Sequence, residues 1–167
     1  MNYSDIKYTD MVNGKGIRVS LFVSGCNHKC KECFNRVTWN PDYGKPFTNT
    51  EKEQIFSYFE KYRKSLTGLS LLGGDPTFHS NIKPLTEFVK EFKSRFPEKD
   101  VWIWSGFTFE QILADPKKLE LVRQCDILVD GKFMIEQKTL GLKYRGSANQ
   151  RVINVQASLA NNKVVEA

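Results

Sequence analysis

Apolar and polar positions change rhythm repeatedly along this chain, from a period of two to a helical spacing and back. Ile17-Arg18-Val19-Ser20-Leu21-Phe22-Val23 alternates by two and then runs apolar, which predicts a strand. Thr50-x-x-Glu53 reads as a capping box that opens a helix. Ile55, Phe59, Tyr62 and Leu66 follow at the spacing of one helical face. Leu69–Leu72 is a short buried strand ending at Gly73-Gly74. Leu85, Phe88, Val89, Phe92 and Phe96 form a second helical stripe, stopped before Pro97. Val101–Trp104 is a strand ending at Ser105-Gly106, and Thr108-x-x-Gln111 is another capping box, opening a helix that breaks at Pro116. Ile127-Leu128-Val129 is a strand ending at Asp130-Gly131, and Arg151–Val155 can form a last one.

This alternation argues for parallel strands joined by helical crossovers. A closed eight-stranded barrel takes ~250 residues, roughly 31 per unit, so this chain supplies about five units. The expected fold is therefore α/β, an open, partial (β/α) barrel with parallel strands. The core domain should span residues 1–156, with 157–167 a weakly ordered tail. Ligands in such sheets sit at the C-terminal ends of the strands. Every chemically suggestive segment follows a strand: the cysteine cluster, Gly73-Gly74-Asp75, Ser105-Gly106 and Asp130-Gly131-Lys132.

Composition narrows the class. A length of 167 residues suits one domain, and 40% apolar with 26% charged residues is neither disordered nor membranous. The longest apolar run is four residues, Val101–Trp104, far short of the ~20 a spanning helix needs. Met1-Asn2-Tyr3-Ser4-Asp5 lacks the apolar stretch of a signal peptide, so the expected location is the cytoplasm. A net charge of +6 permits an acidic partner. The absence of a run of five like charges argues against a nucleic-acid arm, and no membrane contact is expected.

The cysteines add chemistry. Cys26, Cys30 and Cys33 fall within one loop, Ser24-Gly25-Cys26-Asn27-His28-Lys29-Cys30-Lys31-Glu32-Cys33, and Cys125 stands apart. Such spacing lets a backbone wrap one small object with three sulfurs inward, and thiolates suit iron–sulfur clusters and zinc. Three thiolates leave one iron of a four-iron cluster open to a substrate or cofactor. The alternative is structural zinc held by the three cysteines and His28 in a non-catalytic interaction module. His28 lies inside the loop, which strains a tetrahedral site. His28 and His79 read as solvent-facing loop residues, and Cys125 as a small buried hydrophobe.

The Cys-x3-Cys-x2-Cys loop after the first strand resembles that of radical S-adenosylmethionine enzymes. Further segments resemble one group of glycyl-radical-enzyme activases, those serving anaerobic ribonucleoside-triphosphate reductase. They are Val12-Asn13-Gly14-x-Gly16, Leu21-Phe22-Val23-Ser24-Gly25-Cys26, Asn35-x3-Trp39, Gly73-Gly74-Asp75-Pro76 and Trp102-x-Trp104-x-Gly106. Val129-Asp130-Gly131-Lys132-Phe133 and Arg145-Gly146-Ser147-x-Asn149-Gln150 complete the set, in order from about residue 2 to 151. Two departures stand out. Glu32 replaces the aromatic residue common before the third cysteine, leaving Phe34 to supply the apolar wall. Asp75 replaces a glutamate and is one methylene shorter.

The resemblance implies a [4Fe-4S] cluster on Cys26, Cys30 and Cys33, with S-adenosyl-L-methionine on the open iron. Its reductive cleavage would give a 5′-deoxyadenosyl radical that takes a hydrogen atom from a glycine of the reductase. It also implies a flavodoxin- or ferredoxin-like electron donor. Glu32, Cys33, Phe34, Gly73, Gly74 and Asp75 would flank the cofactor, and the two glycines would let backbone approach it. Gly73-Gly74 also fits an ordinary strand-end turn. Ser105 would reach the ribose or carboxylate, or simply turn the chain. Asp130, Gly131 and Lys132 form the Asp-x-Lys of these activases, or a solvated hairpin tip. Arg145 and Gln150 would be late contacts to cofactor or partner. A rival is the activase of another glycyl radical enzyme, such as pyruvate formate-lyase; such relatives tend to be longer.

Overall fold

The computed structural model describes residues 1–167. In chain order the elements are β1 (Asn2–Asp10), β2 (Arg18–Val23), β3 (Lys45–Pro46), α1 (Asn49–Lys61), β4 (Gly68–Gly73) and α2 (His79–Arg95). There follow β5 (Asp100–Ser105), α3 (Phe109–Leu113), α4 (Pro116–Val122), β6 (Ile127–Asp130), β7 (Arg151–Asn154) and α5 (Val155–Asn161). All seven strands form one sheet in the order β3-β1-β2-β4-β5-β6-β7.

The middle of the sheet is parallel: β2 with β4, β4 with β5, and β5 with β6. The flanks are antiparallel, β1 on β2, β3 on β1 and β7 on β6. This corrects the expectation of about five parallel units. The stretches joining β1 to β2 and β6 to β7 carry no α-helix, so those strands return in the opposite direction. No helix is long and apolar enough to cross a membrane.

One register row explains the packing. Leu21, Leu71, Ile103, Leu128 and Ile153 stand side by side across five strands and are fully buried. Each such side chain contributes ~1.5–3 kcal/mol by leaving water. They share a core with Ile55 and Phe59 of α1, Phe88 and Phe92 of α2, Phe109 of α3 and Leu121 of α4. All three crossovers between parallel strands therefore pack against the same face. The opposite face carries Arg18, Ser70 and Trp102. Arg18 is fully buried, donates to Ser70 Oγ at 2.7 Å and pairs with Asp100 at 2.6 Å.

Local chemistry moved some boundaries. Two Thr-x-x-Glu boxes overlap before α1, and the chain uses the earlier one, Thr48 with Glu51, not Thr50 with Glu53. Thr48 is extended, as a cap must be, and the preceding Phe47 packs on Phe88 at 5.2 Å. The Thr108–Gln111 box is present as expected, and Pro116 separates α3 from α4. The last residues are not a loose tail. α5 forms, Ile153 bridges to Glu166, and Ser158 is fully buried. The boundary expected at residue 156 thus falls inside a helix, because Asn154 caps α5 by accepting from Ala157 N at 3.0 Å.

Candidate functional site

Four loops leave the C-terminal ends of β2, β4, β5 and β6, and the parallel register sets them side by side. Val23 pairs with Gly73, and Ser105 with Asp130. The cysteine loop, Gly73-Gly74-Asp75, Ser105-Gly106 and Asp130-Gly131-Lys132 are thus brought to one rim, as the strand signals predicted.

The cysteine loop is pinned at its root. Gly25 N donates to Thr38 O at 2.7 Å, Cys26 N to Trp39 O at 3.2 Å, and Asp75 N to Gly25 O at 2.8 Å. Gly25 has φ +106°, and a Cβ there would meet the Phe78 ring at 2.5 Å. Further along, Lys29 (φ 52°) and Glu32 (φ 61°) adopt the left-handed conformation, each just before a cysteine. Only a few per cent of non-glycine residues adopt it. Each turns the chain back immediately before it presents a sulfur.

Cys26, Cys30 and Cys33 are half-buried and free of disulfides, whereas Cys125 is fully buried. Burial pushes the Cys26 thiol up to about 11 and also raises Cys30. An iron ligand must be a thiolate, so metal binding would release these protons. No three His, Cys, Asp or Glu side chains converge on a point suited to a single ion. Thiolates holding a four-iron cluster each take a different iron, so they stand further apart than ligands of one ion. The three soft donors of one loop fit that group.

A cavity of ≈ 500 Å³ opens beside the loop. Of the residues singled out from sequence, Cys33, Phe34, Gly73, Gly74, Arg145 and Gln150 line it, together with Trp104 and Tyr144. Phe34 is largely exposed and lies 6.1 Å from Phe133, centroid to centroid. Gln150 stitches two loops: its amide donates to Gly131 O at 2.9 Å and accepts from Gly146 N at 2.8 Å. Arg145 donates to Gln150 O at 2.6 Å. The chain's own packing already requires both glycines. A Cβ on Gly74 would stand 2.6 Å from Gly25 O, and one on Gly73 (φ +106°) 2.7 Å from Val23 N. Protein backbone fills that space.

Other singled-out residues face elsewhere. Asp75 and Lys132 line a second cavity of ≈ 360 Å³ with His28 and His79. Ser105, Asp130, Gly131 and Glu32 line neither. Asp130 is 1% exposed and held by Arg151. Ser105 is buried and donates to Asp75. His28 corrects an expectation: it does not face solvent but lies 2.6 Å from Asp75 with its side chain 8% exposed. His79 is exposed as expected. Sequence reading missed Thr77 and Arg151. A threonine two residues after an aspartate was a readable turn signal, whereas nothing local marks Arg151.

Fold and rim together define a mixed α/β protein carrying a three-cysteine loop at the ends of its parallel strands. Residues 12–153 match the family described as "4Fe-4S single cluster domain". The chain is 44% identical to the anaerobic ribonucleoside-triphosphate reductase-activating protein of Enterobacteria phage T4, covering 91% of this chain and 93% of that one. It is 42% identical to the protein of the same name from Vibrio cholerae, over 90% and 96%, and 39% identical to that of Escherichia coli K12, over 91% and 97%. The chain belongs to this family of activating proteins and carries its 4Fe-4S domain.

Proposed function

We propose that this protein activates an anaerobic ribonucleoside-triphosphate reductase by placing a radical on one of its glycines. The observation that carries the reading is the strand-end loop with Cys26, Cys30 and Cys33 beside an open cavity, in a chain whose relatives bear that activator's name. We read the sheet as the partial barrel of radical S-adenosylmethionine enzymes, because its parallel strands run in sequential order with their helices on one face.

When bound, a [4Fe-4S] cluster with S-adenosylmethionine supplies one-electron cleavage to a 5′-deoxyadenosyl radical, which abstracts hydrogen from glycine. The chain's own residues bind, orient and exclude water. Cys26, Cys30 and Cys33 hold the cluster. Gly73 and Gly74 keep the cysteine loop against β4, so the cavity wall is backbone there. Phe34, Trp104 and Tyr144 give the cavity an apolar lining that resists water. Arg145 and Gln150 offer polar groups at its edge, and Lys132 is an exposed cation lining the second cavity of the strand-end rim.

The donor would be an acidic flavodoxin- or ferredoxin-like protein in the cytoplasm. Lys29, Lys31, Arg36 and Lys132 flank the cysteines and form no ion pair within the chain. Unpaired cations steer an acidic partner, an effect that fades with salt.

The test is anaerobic incubation of the protein with reductant, S-adenosylmethionine and the reductase. A glycine-centred doublet should appear in the electron paramagnetic resonance (EPR) spectrum, with 5′-deoxyadenosine and methionine as products. Deuterium placed on the reductase glycine should move to the deoxyadenosine. Label that stays on the glycine would refute the reading.

A further inference from the structure

The Asp75 carboxylate does not face open space. It is 3% exposed, and both oxygens are occupied. Oδ2 accepts from His28 Nε2 at 2.6 Å, Gly106 N at 3.0 Å and Ser105 Oγ at 3.1 Å. Oδ1 accepts from Thr77 N at 2.7 Å and Thr77 Oγ1 at 2.8 Å. Thr77 Oγ1 and Ser105 Oγ also lie 2.9 Å apart, so one of these hydroxyls can donate to the other. The three N–H donors and the remaining hydroxyl still match the about four lone-pair sites of an ionised carboxylate. An ammonium group arriving from a ligand would find no free oxygen.

The network leads to His28, which lies between Cys26 and Cys30. Asp75 fixes one ring nitrogen. Phe107 meets the ring edge-on at 4.5 Å between centroids. Gly106 makes room for it, since a Cβ there would stand 2.4 Å from the imidazole. Loops that follow β2, β4 and β5 therefore converge on one side chain. The same carboxylate residue holds the root of the cysteine loop through its N–H to Gly25 O.

We infer that Asp75 and His28 form a positioning pair: the carboxylate fixes the imidazole, and the imidazole fixes the arc from Cys26 to Cys30. Asp75, which the resemblance sets among the residues flanking S-adenosylmethionine, makes no contact with the amino group of that cofactor. The inference rests on the proposed cluster site and adds which residues shape it. The ring acts through the loop, not on the reacting atoms.

The experiment compares wild type with His28→Ala, His28→Gln and Asp75→Asn, each reconstituted anaerobically with iron and sulfide. Three quantities are read: the rate of iron loss to a chelator, the EPR signal of the reduced cluster, and S-adenosylmethionine affinity of the loaded fraction. His28→Ala should lose iron about tenfold faster, as one charge-assisted hydrogen bond implies, and shift the signal. His28→Gln retains an N–H donor that can reach Asp75 and should restore both. Asp75→Asn should speed iron loss while cofactor affinity stays within about twofold of wild type.

Two results would overturn the inference. One is Asp75→Asn with wild-type iron retention and an affinity lowered tenfold or more. The other is His28→Ala with unchanged iron loss and EPR signal. Amide hydrogen exchange of residues 26–33 in cluster-free protein separates this inference from the functional reading. If wild type takes up no iron, the functional reading fails. Faster exchange in His28→Ala than in His28→Gln would still support the pair, and equal exchange in the two would refute it.

Discussion

Arg151, the first residue of β7, closes on Asp130, the last of β6, with Nε 3.1 Å from Oδ1 and Nη2 2.5 Å from Oδ2. The carboxylate also accepts from Phe109 N at 2.7 Å, so it anchors the start of α3. Asp130 therefore supports the rim from beneath. Arg151→Ala would strand a buried carboxylate, which typically costs about 3–5 kcal/mol. The expected outcome is a lower urea midpoint. Stability within about 1 kcal/mol of wild type would show that the pair carries little.

Arg151 also reaches Glu110 at 2.7 Å and holds its carboxyl below the usual range by hydrogen bonding. A depressed folded pKa gives stability that is present above the unfolded value of ~4.3 and is lost as pH falls through the folded one. Glu110 is exposed, so the effect should be small, under about 1 kcal/mol. Urea melts from about pH 6 to 3 should show a shallower acid decline in Glu110→Gln than in wild type. Identical profiles would remove Glu110 from the acid response.

If Gly74 served only to let backbone approach the cofactor, Gly74→Val would keep a cluster and weaken cofactor binding. The packing around Gly74 gives a different outcome. With Gly25 O 2.6 Å and Thr38 O 2.9 Å from any Cβ, the new side chain must push the cysteine loop off β4. Gly74→Val, and to a lesser degree Gly74→Ala, should lose bound iron as well as activity. Full iron loading in the valine variant would contradict this.

Cys26→Ala, Cys30→Ala and Cys33→Ala should each abolish the iron–sulfur absorption and all activity. Cys125→Ser should keep both. Its sulfur is fully buried 3.6 Å from Leu121 O, and burial drives its pKa upward. A hydroxyl there should cost about 1–3 kcal/mol, read as a lower melting temperature.

Trp104 Nε1 donates to Tyr144 O at 2.7 Å, and Tyr144 sits at φ 66° with its ring 5.0 Å from that of Trp102. Residues 141–145 are thus strapped over the sheet beside the cavity. Trp104→Phe removes one hydrogen bond, about 1 kcal/mol, and should speed trypsin cleavage after Lys143 and Arg145 several-fold. Unchanged cleavage would mean that the strap is held by packing alone.

Local pattern by itself determined much of this molecule. Period-two alternation for one strand, short apolar runs ending at turn residues for three others, and helical spacings located the four parallel strands and the helices between them. The cysteine spacing and the glycines after strands marked the rim, since parallel strands deliver their following loops to one edge. β1 escaped notice because the register shift after Tyr3 sets that residue out of phase with Ile6 and Tyr8, which leaves only two apolar residues in step.

Tertiary structure alone decided the rest. Whether a flanking strand runs parallel or antiparallel depends on what its connection packs against, so β1 and β7 could not be oriented from their own residues. The space beside Gly74 is filled by Gly25 and Thr38, far away in sequence. The resemblance sets Asp75 beside the cofactor and leaves Asp130 as part of the Asp-x-Lys of these activases or of a solvated hairpin tip; in the fold each is satisfied by donors drawn from other elements: His28 and Gly106 for one, Arg151 and Phe109 for the other. A buried charge must find partners within hydrogen-bond reach. Which partners those are is set by the packing of strands and loops, and a linear pattern does not contain it.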